Sequence, residues 1–334
     1  MNINPASLQS KKVLVTGAGG FIGSHLVERL LESGAHVRAF VRYNSRGDLG
    51  LMQLIDVARR SAVEVFRGDL KDSFAVRSAM QGVEIAFHLG ALVAIPYSYH
   101  NPFDFVQTNV LGTSHMLQAA LECGVERFVH TSTSEIYGTS VYTPMDENHP
   151  LHAQSPYAAT KISADKLAES FYCSFGLPVV TVRPFNTYGP RQSTRAIIPT
   201  IIVQALVGNE ISVGSTEPTR DFTFVSDTVE GFLRAALAKE AVGEVINLGS
   251  GFTISIGALV QMIGKIMGRP LKACPDPVRF RPGTSEVYSL LASSEKAKRV
   301  LRWEPQVQFE TGLEKTIRWF QLNQTRYLPH EYAI

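Results

Sequence analysis

Tyr157-Ala158-Ala159-Thr160-Lys161 sets a phenol and an ammonium four residues apart. On a helix that spacing puts both side chains on one face, so the Lys161 cation can approach the Tyr157 hydroxyl. A cation there favours the phenolate and draws the tyrosine's pKa from about 10 toward working pH, which makes it a usable general base. The plain alternative is an exposed helix face carrying two unrelated residues. A second motif far upstream tells against it. Val13-Leu14-Val15-Thr16 runs into Gly17-Ala18-Gly19-Gly20-Phe21-Ile22-Gly23 and then into an amphipathic stretch. Strand, glycine turn and helix start in that order lay a pyrophosphate on a helix N-terminus. The glycines at 17, 20 and 23 are three apart, whereas the common dinucleotide fingerprint wants them at 17, 19 and 22, and position 22 is Ile.

The strands that follow carry the rest of a dinucleotide site. His36-Val37-Arg38-Ala39-Phe40-Val41-Arg42 ends without the acid that would grip the ribose hydroxyls of NAD. Arg42 stands there instead, and a guanidinium suits the 2′-phosphate of NADP; a solvated surface arginine is the alternative. Gly68-Asp69-Leu70 follows the third strand, where an acid can accept from the adenine amino group. His88-Leu89-Gly90-Ala91 follows the fourth, in place to border the adenosine and ribose.

These motifs need a scaffold, and the first half of the chain supplies one. Short β-branched runs alternate with amphipathic stretches, the order that builds a parallel sheet covered on both faces. Strands are predicted at 13–16, 36–41, 62–66, 85–88, 127–131 and 179–182. Residues 24–32 read as a helix with Leu26, Val27, Leu30 and Leu31 on one face, stopping at Ser33-Gly34. Residues 101–122 and 155–174 read as two longer helices. The fold class is α/β, a Rossmann-type doubly wound parallel sheet. After Arg183-Pro184 the alternation fails: Gly and Pro punctuate 186–218, and a basic, Pro-rich stretch spans 269–282. Both predict a smaller, loop-rich C-terminal domain capping the sheet's carboxyl edge and binding substrate. One more strand signal, 244–248, predicts a return to the main sheet. The expected division is 1–185 for the dinucleotide, with a return segment near 219–248, and 186–334 mainly for the substrate.

Composition narrows the function class. The 334 residues are 45% hydrophobic and 19% charged, with 26 Gly and 17 Pro, which excludes disorder, collagen and coiled coil. A net charge of +2 gives no footprint for nucleic acid or an anionic membrane. No apolar run reaches the roughly 18 residues a membrane span needs; the best, 196–207, is broken by Pro199, Thr200 and Gln204. Residues 1–12 are polar and lack an apolar signal core, which predicts a cytoplasmic protein. Cys123, Cys173 and Cys274 fit neither a disulfide framework nor a zinc pattern. No metal site is expected: His149 and His152 share a Pro-bounded loop with only Asp146 and Glu147, and read as surface residues.

Taken together, the glycine spacing, the hydroxyl-rich run Thr131-Ser132-Thr133-Ser134-Glu135 and the Tyr157/Lys161 pair resemble the extended short-chain dehydrogenase/reductases, specifically the nucleotide-sugar epimerases and dehydratases. Further matches are Asn109-Val110-Leu111-Gly112-Thr113, Arg183-Pro184-Phe185-Asn186-Thr187-Tyr188-Gly189-Pro190, Thr219-Arg220-Asp221-Phe222 and Leu301-Arg302-Trp303-Glu304-Pro305. The resemblance implies that Thr133 orients the substrate hydroxyl and Tyr157 is the base. It also implies that Lys161 binds the nicotinamide ribose, with Asn109 and Thr131 beside the cofactor, Ser134 beside the substrate, Asn186 on a phosphate or sugar oxygen, and Arg220 on the diphosphate. Within this family an epimerase needs no acid after Thr133. A dehydratase does, because loss of water across C5 and C6 needs a base for the C5 proton and a donor for the departing hydroxyl, and Glu135 is the candidate. Glucose-nucleotide dehydratases carry Asp where Ser134 stands. The chain looks more like the GDP-mannose 4,6-dehydratases, which share the Thr-Ser-Glu run. It resembles still more the UDP-N-acetylglucosamine 4,6-dehydratases of the legionaminic-acid pathway, through Arg279-Phe280-Arg281-Pro282-Gly283-Thr284-Ser285-Glu286-Val287. That segment implies Arg281 on the diphosphate and Glu286 on the ribose hydroxyls.

The resemblance further implies a homodimer paired through the two long helices, and a cofactor, NADP or alternatively NAD, that stays bound and is regenerated each turnover. Three rivals compete with the dehydratase. They are a UDP-glucuronate decarboxylase, a 4-epimerase, and a non-catalytic dinucleotide-sensing protein, which would have no need of a tuned phenol.

Overall fold

The computed structural model describes residues 5–327. Its strands, in chain order, are β1 (Lys12–Thr16), β2 (His36–Arg42), β3 (Glu64–Gly68), β4 (Ile85–His88), β5 (Arg127–Thr131), β6 (Val179–Pro184), β7 (Asn186–Tyr188), β8 (Glu210–Val213), β9 (Thr219–Phe224), β10 (Val245–Leu248), β11 (Thr253–Ser255) and β12 (Lys272–Pro275). Seven of them form one sheet in the order β10-β6-β5-β4-β1-β2-β3, and every pairing is parallel. A parallel sheet needs cover on both faces, and the central strands are accordingly apolar without alternation. Val13, Val15, Phe87 and Val129 pack on one face with Leu26, Leu30 and Phe232. Leu14, Ala86 and Phe128 pack on the other with Met116, Leu117 and Ala168. The carboxyl ends of β1, β2, β3, β4 and β5 therefore point to one edge, where the motif loops gather.

Beyond β6 the chain builds smaller pieces on that edge. β7 and β11 flank β9, and β8 pairs with β12. The strand expected over 244–248 is β10, which adds to the main sheet beside β6.

Local differences from the sequence expectations have physical reasons. The strand expected over 62–66 begins two residues later, because Ala62 N and Val63 N donate to Arg59 O and Arg60 O and close the turn Val57–Arg60 capped by Asp56. Residues 101–122 are not one helix. Helix Pro102–Phe105, a π turn Val106–Leu111 and helix Gly112–Cys123 follow one another. The wide turn forms where the Thr113 hydroxyl donates to Asn109 O and the Asn109 side chain is drawn away to Leu92. Residues 186–218 include helix Ile197–Val207, with Pro199 in its first turn, where a missing N–H costs nothing. His149 is buried rather than exposed: Nε2 accepts from Val141 N at 2.9 Å and the ring lies against Tyr137 and Tyr142. His152 is exposed. Among the described residues no helix is long and apolar enough to cross a membrane. Residues 1–4 of the polar leader lie outside the described residues.

Candidate active site

The glycine turn is built by close approach of bare backbone. Gly17 has φ +68°, and a Cβ there would lie 2.9 Å from Gly90 N. A Cβ on Gly23 would lie 2.1 Å from Gly17 O, so no side chain fits between the turn and the helix it opens. That helix, Phe21–Glu32, is capped by Gly20 with no side-chain hydrogen bond, which leaves its first N–H groups aimed outward at the positive end of the dipole. Beside it opens a cavity of about 340 Å³ lined by Gly17, Gly20, Phe40, Arg42, Asp69, Leu70 and Ala91. Arg42 is three-quarters exposed at its rim, with Nε 3.9 Å from Asp69 Oδ2. β2 brings no carboxylate into this cavity. Asp48 lines it, but its Oδ1 is engaged by Gly50 N at 2.7 Å and Gln53 Nε2 at 3.0 Å. A bare helix end beside an apolar slot with an arginine at its mouth fits an adenine dinucleotide.

Of the other residues expected at the cofactor, Phe21 and Ile22 line the larger cleft beside Gly20 and Ala91, which line both cavities, and Leu89 packs against the core. Asn109 makes its contacts with protein: Oδ1 accepts from Leu92 N at 2.8 Å, and Nδ2 donates to Leu92 O at 2.9 Å and Thr160 Oγ1 at 3.1 Å. His88 is buried between the hydroxyls of Thr16 and Thr113.

The larger cleft, about 820 Å³, is lined by Thr131, Ser132, Thr133, Ser134, Glu135, Tyr157, Asn186, Arg220, Arg281 and Glu286, among others. Its catalytic wall comes from two local decisions of the sequence. β5 stops at Thr131, and Thr133 caps the short turn Ser134–Tyr137 by accepting from Glu135 N at 3.3 Å. Ser155 caps helix Pro156–Phe175, accepting from Ala158 N at 3.1 Å with Pro156 in the first turn, so Tyr157 is fixed at the helix mouth. The Tyr157 ring packs edge-on to Phe105, and its hydroxyl hydrogen-bonds with Thr133.

The electrostatics differ from the sequence expectation. Burial pushes the Tyr157 phenol up from its ordinary value, the Glu135 and Asp165 charges push it further, and the Thr133 hydrogen bond opposes them. The Lys161 Nζ donates to Thr131 O at 2.6 Å. Burial lowers the lysine itself to about 8, with Asp165 opposing.

The opposite wall is charged. Arg281 Nη1 stands 3.6 Å from Glu135 Oε2, and Arg220 Nη2 is 3.4 Å from Glu286 Oε1. Arg281 and Glu286 were expected on the diphosphate and the ribose; here each faces a partner within the protein. Asn186 Nδ2 is buried, and among the described residues it finds no hydrogen-bond partner. Gln154 anchors this wall, its Nε2 donating to Thr284 O at 3.1 Å and Glu286 O at 3.0 Å.

The sequence reading missed Gln154 and Asp165. Asp165 is buried one turn beyond Lys161, where it accepts from Ser132 Oγ at 2.8 Å and from Arg183 Nη2 at 3.1 Å, beside His130 Nε2 at 3.1 Å. Carrying the four-residue spacing of Tyr157 and Lys161 one step further would have found it. Nothing in the sequence marks Gln154.

A parallel sheet with a glycine-turn dinucleotide cavity, joined to a cleft holding Thr133, Tyr157 and a helical lysine, defines an extended short-chain dehydrogenase/reductase. The profile of the GDP-mannose 4,6-dehydratase family matches residues 14–316. The chain is 32% identical to the dTDP-D-glucose 4,6-dehydratase of Mus musculus, over 99% of this chain and 94% of that one. It superposes with a TM-score of 0.87 on epimerase Mth375 of Methanothermobacter thermautotrophicus, at 31% identity, covering 96% of this chain and 95% of that one. For DesIV, a dTDP-glucose 4,6-dehydratase of Streptomyces venezuelae, the TM-score is 0.85 at 29% identity, covering 95% and 99%. The chain belongs to the GDP-mannose 4,6-dehydratase family, and is an enzyme of that nucleotide-sugar dehydratase and epimerase group.

Proposed function

We propose that the protein is a nucleotide-sugar 4,6-dehydratase acting on UDP-N-acetylglucosamine. The observation that carries the dehydratase reading is Glu135. Its carboxylate lines the same cleft as the Tyr157 phenol and acts electrostatically on it. An epimerase has no use for that group, whereas elimination across C5 and C6 requires one. The names of the relatives, dehydratases of dTDP-glucose among them, support the same reading. The choice of UDP-N-acetylglucosamine is supported by the segment from Arg279 to Val287.

Tyr157 takes the proton of the sugar's 4-hydroxyl, with Thr133 orienting that hydroxyl. A bound nicotinamide dinucleotide supplies the hydride acceptor for C4 and the hydride donor for C6, so it ends each turnover unchanged. The 4-ketone acidifies the C5 hydrogen. Glu135 removes that proton and passes it to the departing C6 hydroxyl, which leaves as water; as hydride reaches C6, C5 takes a proton equivalent to the one Tyr157 removed, giving a 4-keto-6-deoxy sugar. On this reading Arg220 holds the diphosphate and Asn186 a sugar or phosphate oxygen; that both line the cleft supports it. Arg42, facing no acid from β2, favours NADP; NAD, named with the DesIV structure, is the alternative.

Phe103, Val106, Leu111, Tyr172 and Phe175 leave large apolar side chains exposed along the two long helical stretches, which supports a homodimer paired there. Light scattering of the purified protein reads this directly.

A second reading is favoured by one contact. Arg281 places a cation 3.6 Å from Glu135, where it would also receive the C6 carboxylate of UDP-glucuronate for decarboxylation. Mass spectrometry after incubation with a panel of nucleotide sugars decides between them. Loss of one water from UDP-N-acetylglucosamine, with UDP-glucuronate untouched, is the expected result. Carbon dioxide from UDP-glucuronate with no dehydration of any neutral sugar overturns it.

A further inference from the structure

Tyr157, Lys161 and Asp165 recur at four-residue steps along one buried face of helix Pro156–Phe175. The first two face the cleft and the strand end; the third lies entirely in the protein. Carboxylates are rarely fully buried unless paired, and this one is bound from three strands and loops at once. Ser132 Oγ donates to Oδ2 at 2.8 Å, Arg183 donates to the same oxygen through Nε at 3.2 Å and Nη2 at 3.1 Å, and His130 Nε2 lies 3.1 Å from Oδ1. Arg183 is itself held by Tyr137, whose hydroxyl accepts from Nη1 at 2.9 Å and donates to Asn247 Oδ1 at 2.7 Å.

We propose that Asp165 is the positioning residue of the Tyr157–Lys161 pair: fixed by Ser132, His130 and Arg183, its carboxylate keeps Lys161 a cation on the Thr131 carbonyl. The inference rests on the reading of Tyr157 and Lys161 as the catalytic pair. The charged and titratable groups around Lys161 come from every element packed against it. His88 on β4 and His130 on β5 are both driven toward the neutral form by burial, so neither competes as a cation. Arg183 on β6 acts on Asp165 and offsets part of its charge. Asp165, on the helix itself, is the group whose charge favours the ammonium against a burial that otherwise strips it. Ser132 adds a mechanical link, because the hydroxyl bound to Asp165 lies between Thr131, which holds Lys161, and Thr133, which meets Tyr157.

The test reads Lys161 directly. In protein carrying ¹³C at lysine Cε, the Lys161 resonance is identified by its loss in Lys161→Arg and titrated against pH. In the wild type its midpoint is expected near 8. Asp165→Asn is expected to lower the midpoint by about one pH unit or more, and Asp165→Glu to restore most of it. The alkaline limb of turnover should move with it. An unmoved midpoint in folded Asp165→Asn overturns the proposal, as does a rate loss equal at every pH, which is what a merely structural residue would give. Should Asp165→Asn not fold, Asp165→Glu tests the same point alone: it keeps the charge, so a Lys161 midpoint close to the wild-type value is expected, and one lowered by about a unit or more in the folded variant overturns the proposal. A Tyr157→Phe enzyme with normal turnover would instead sink the catalytic reading, leaving the Lys161 titration to judge Asp165 independently.

Discussion

The dinucleotide cavity and the sugar cleft adjoin at the same sheet edge, yet they recognise in opposite ways. The first is made largely by backbone: glycines, a helix end with no side-chain cap and apolar walls, with its charged groups, Arg42 and Asp69 among them, paired or held by backbone and by one another. The second is made by side chains whose charges face one another, Glu135 with Arg281 and Arg220 with Glu286. The difference teaches where each site tolerates change. A backbone site fails when an atom is added, because nothing can move aside. A side-chain site fails by losing the chemistry of one group while its neighbours keep their places.

The largest expected effects fall on the side-chain site. Tyr157→Phe should cut sugar-dependent formation of reduced dinucleotide, read as absorbance in a single turnover, by about 10²–10⁴-fold. Glu135→Gln should retain some of that reduction while dehydrated product falls by about a hundredfold. Equal loss of both steps in Glu135→Gln would show that the two residues do not divide the work. On the backbone side, Gly23→Ala forces a Cβ to within 2.1 Å of Gly17 O and is expected to destabilise the fold by about 1–3 kcal/mol, with loss of bound dinucleotide. A variant with unchanged Tm and dinucleotide content would break the contrast drawn above. The smallest effect belongs to the exposed rim. Arg42→Ala should weaken NADP by about tenfold and leave NAD nearly unchanged, an effect that fades with salt. Recovery of NAD alone from denatured wild-type protein would remove the basis for that preference.

The regular half of the molecule was legible because its signals are local. β1, β4 and β5 fall where β-branched runs end at turn residues, and the cap at Ser155 is written in Ser-Pro-Tyr. What the sequence hid depends on partners distant along the chain. The break at Val106–Leu111 follows from Asn109 binding Leu92, and the burial of His149 from Val141 and two tyrosines. The surroundings of the Tyr157–Lys161 pair were hidden for the same reason. The spacing shows that Lys161 shares its face, but not that the ammonium is held by the Thr131 carbonyl and that two carboxylates lie within electrostatic reach.

Gln154 sits immediately before the cap of the catalytic helix, and it holds the segment that presents Arg281 and Glu286. Its amide donates to Thr284 O and Glu286 O, while its Oε1 accepts from Thr139 N at 2.6 Å. Ser285 is tied to the same place by Tyr99 Oη at 2.6 Å and by the Gln154 carbonyl. A hinge at this segment would therefore have to pull on the root of the helix that aims Tyr157. Any opening of the sugar site at this segment is thereby tied to the root of the helix that aims Tyr157, a coupling that would keep the proposed 4-ketone confined until elimination is complete.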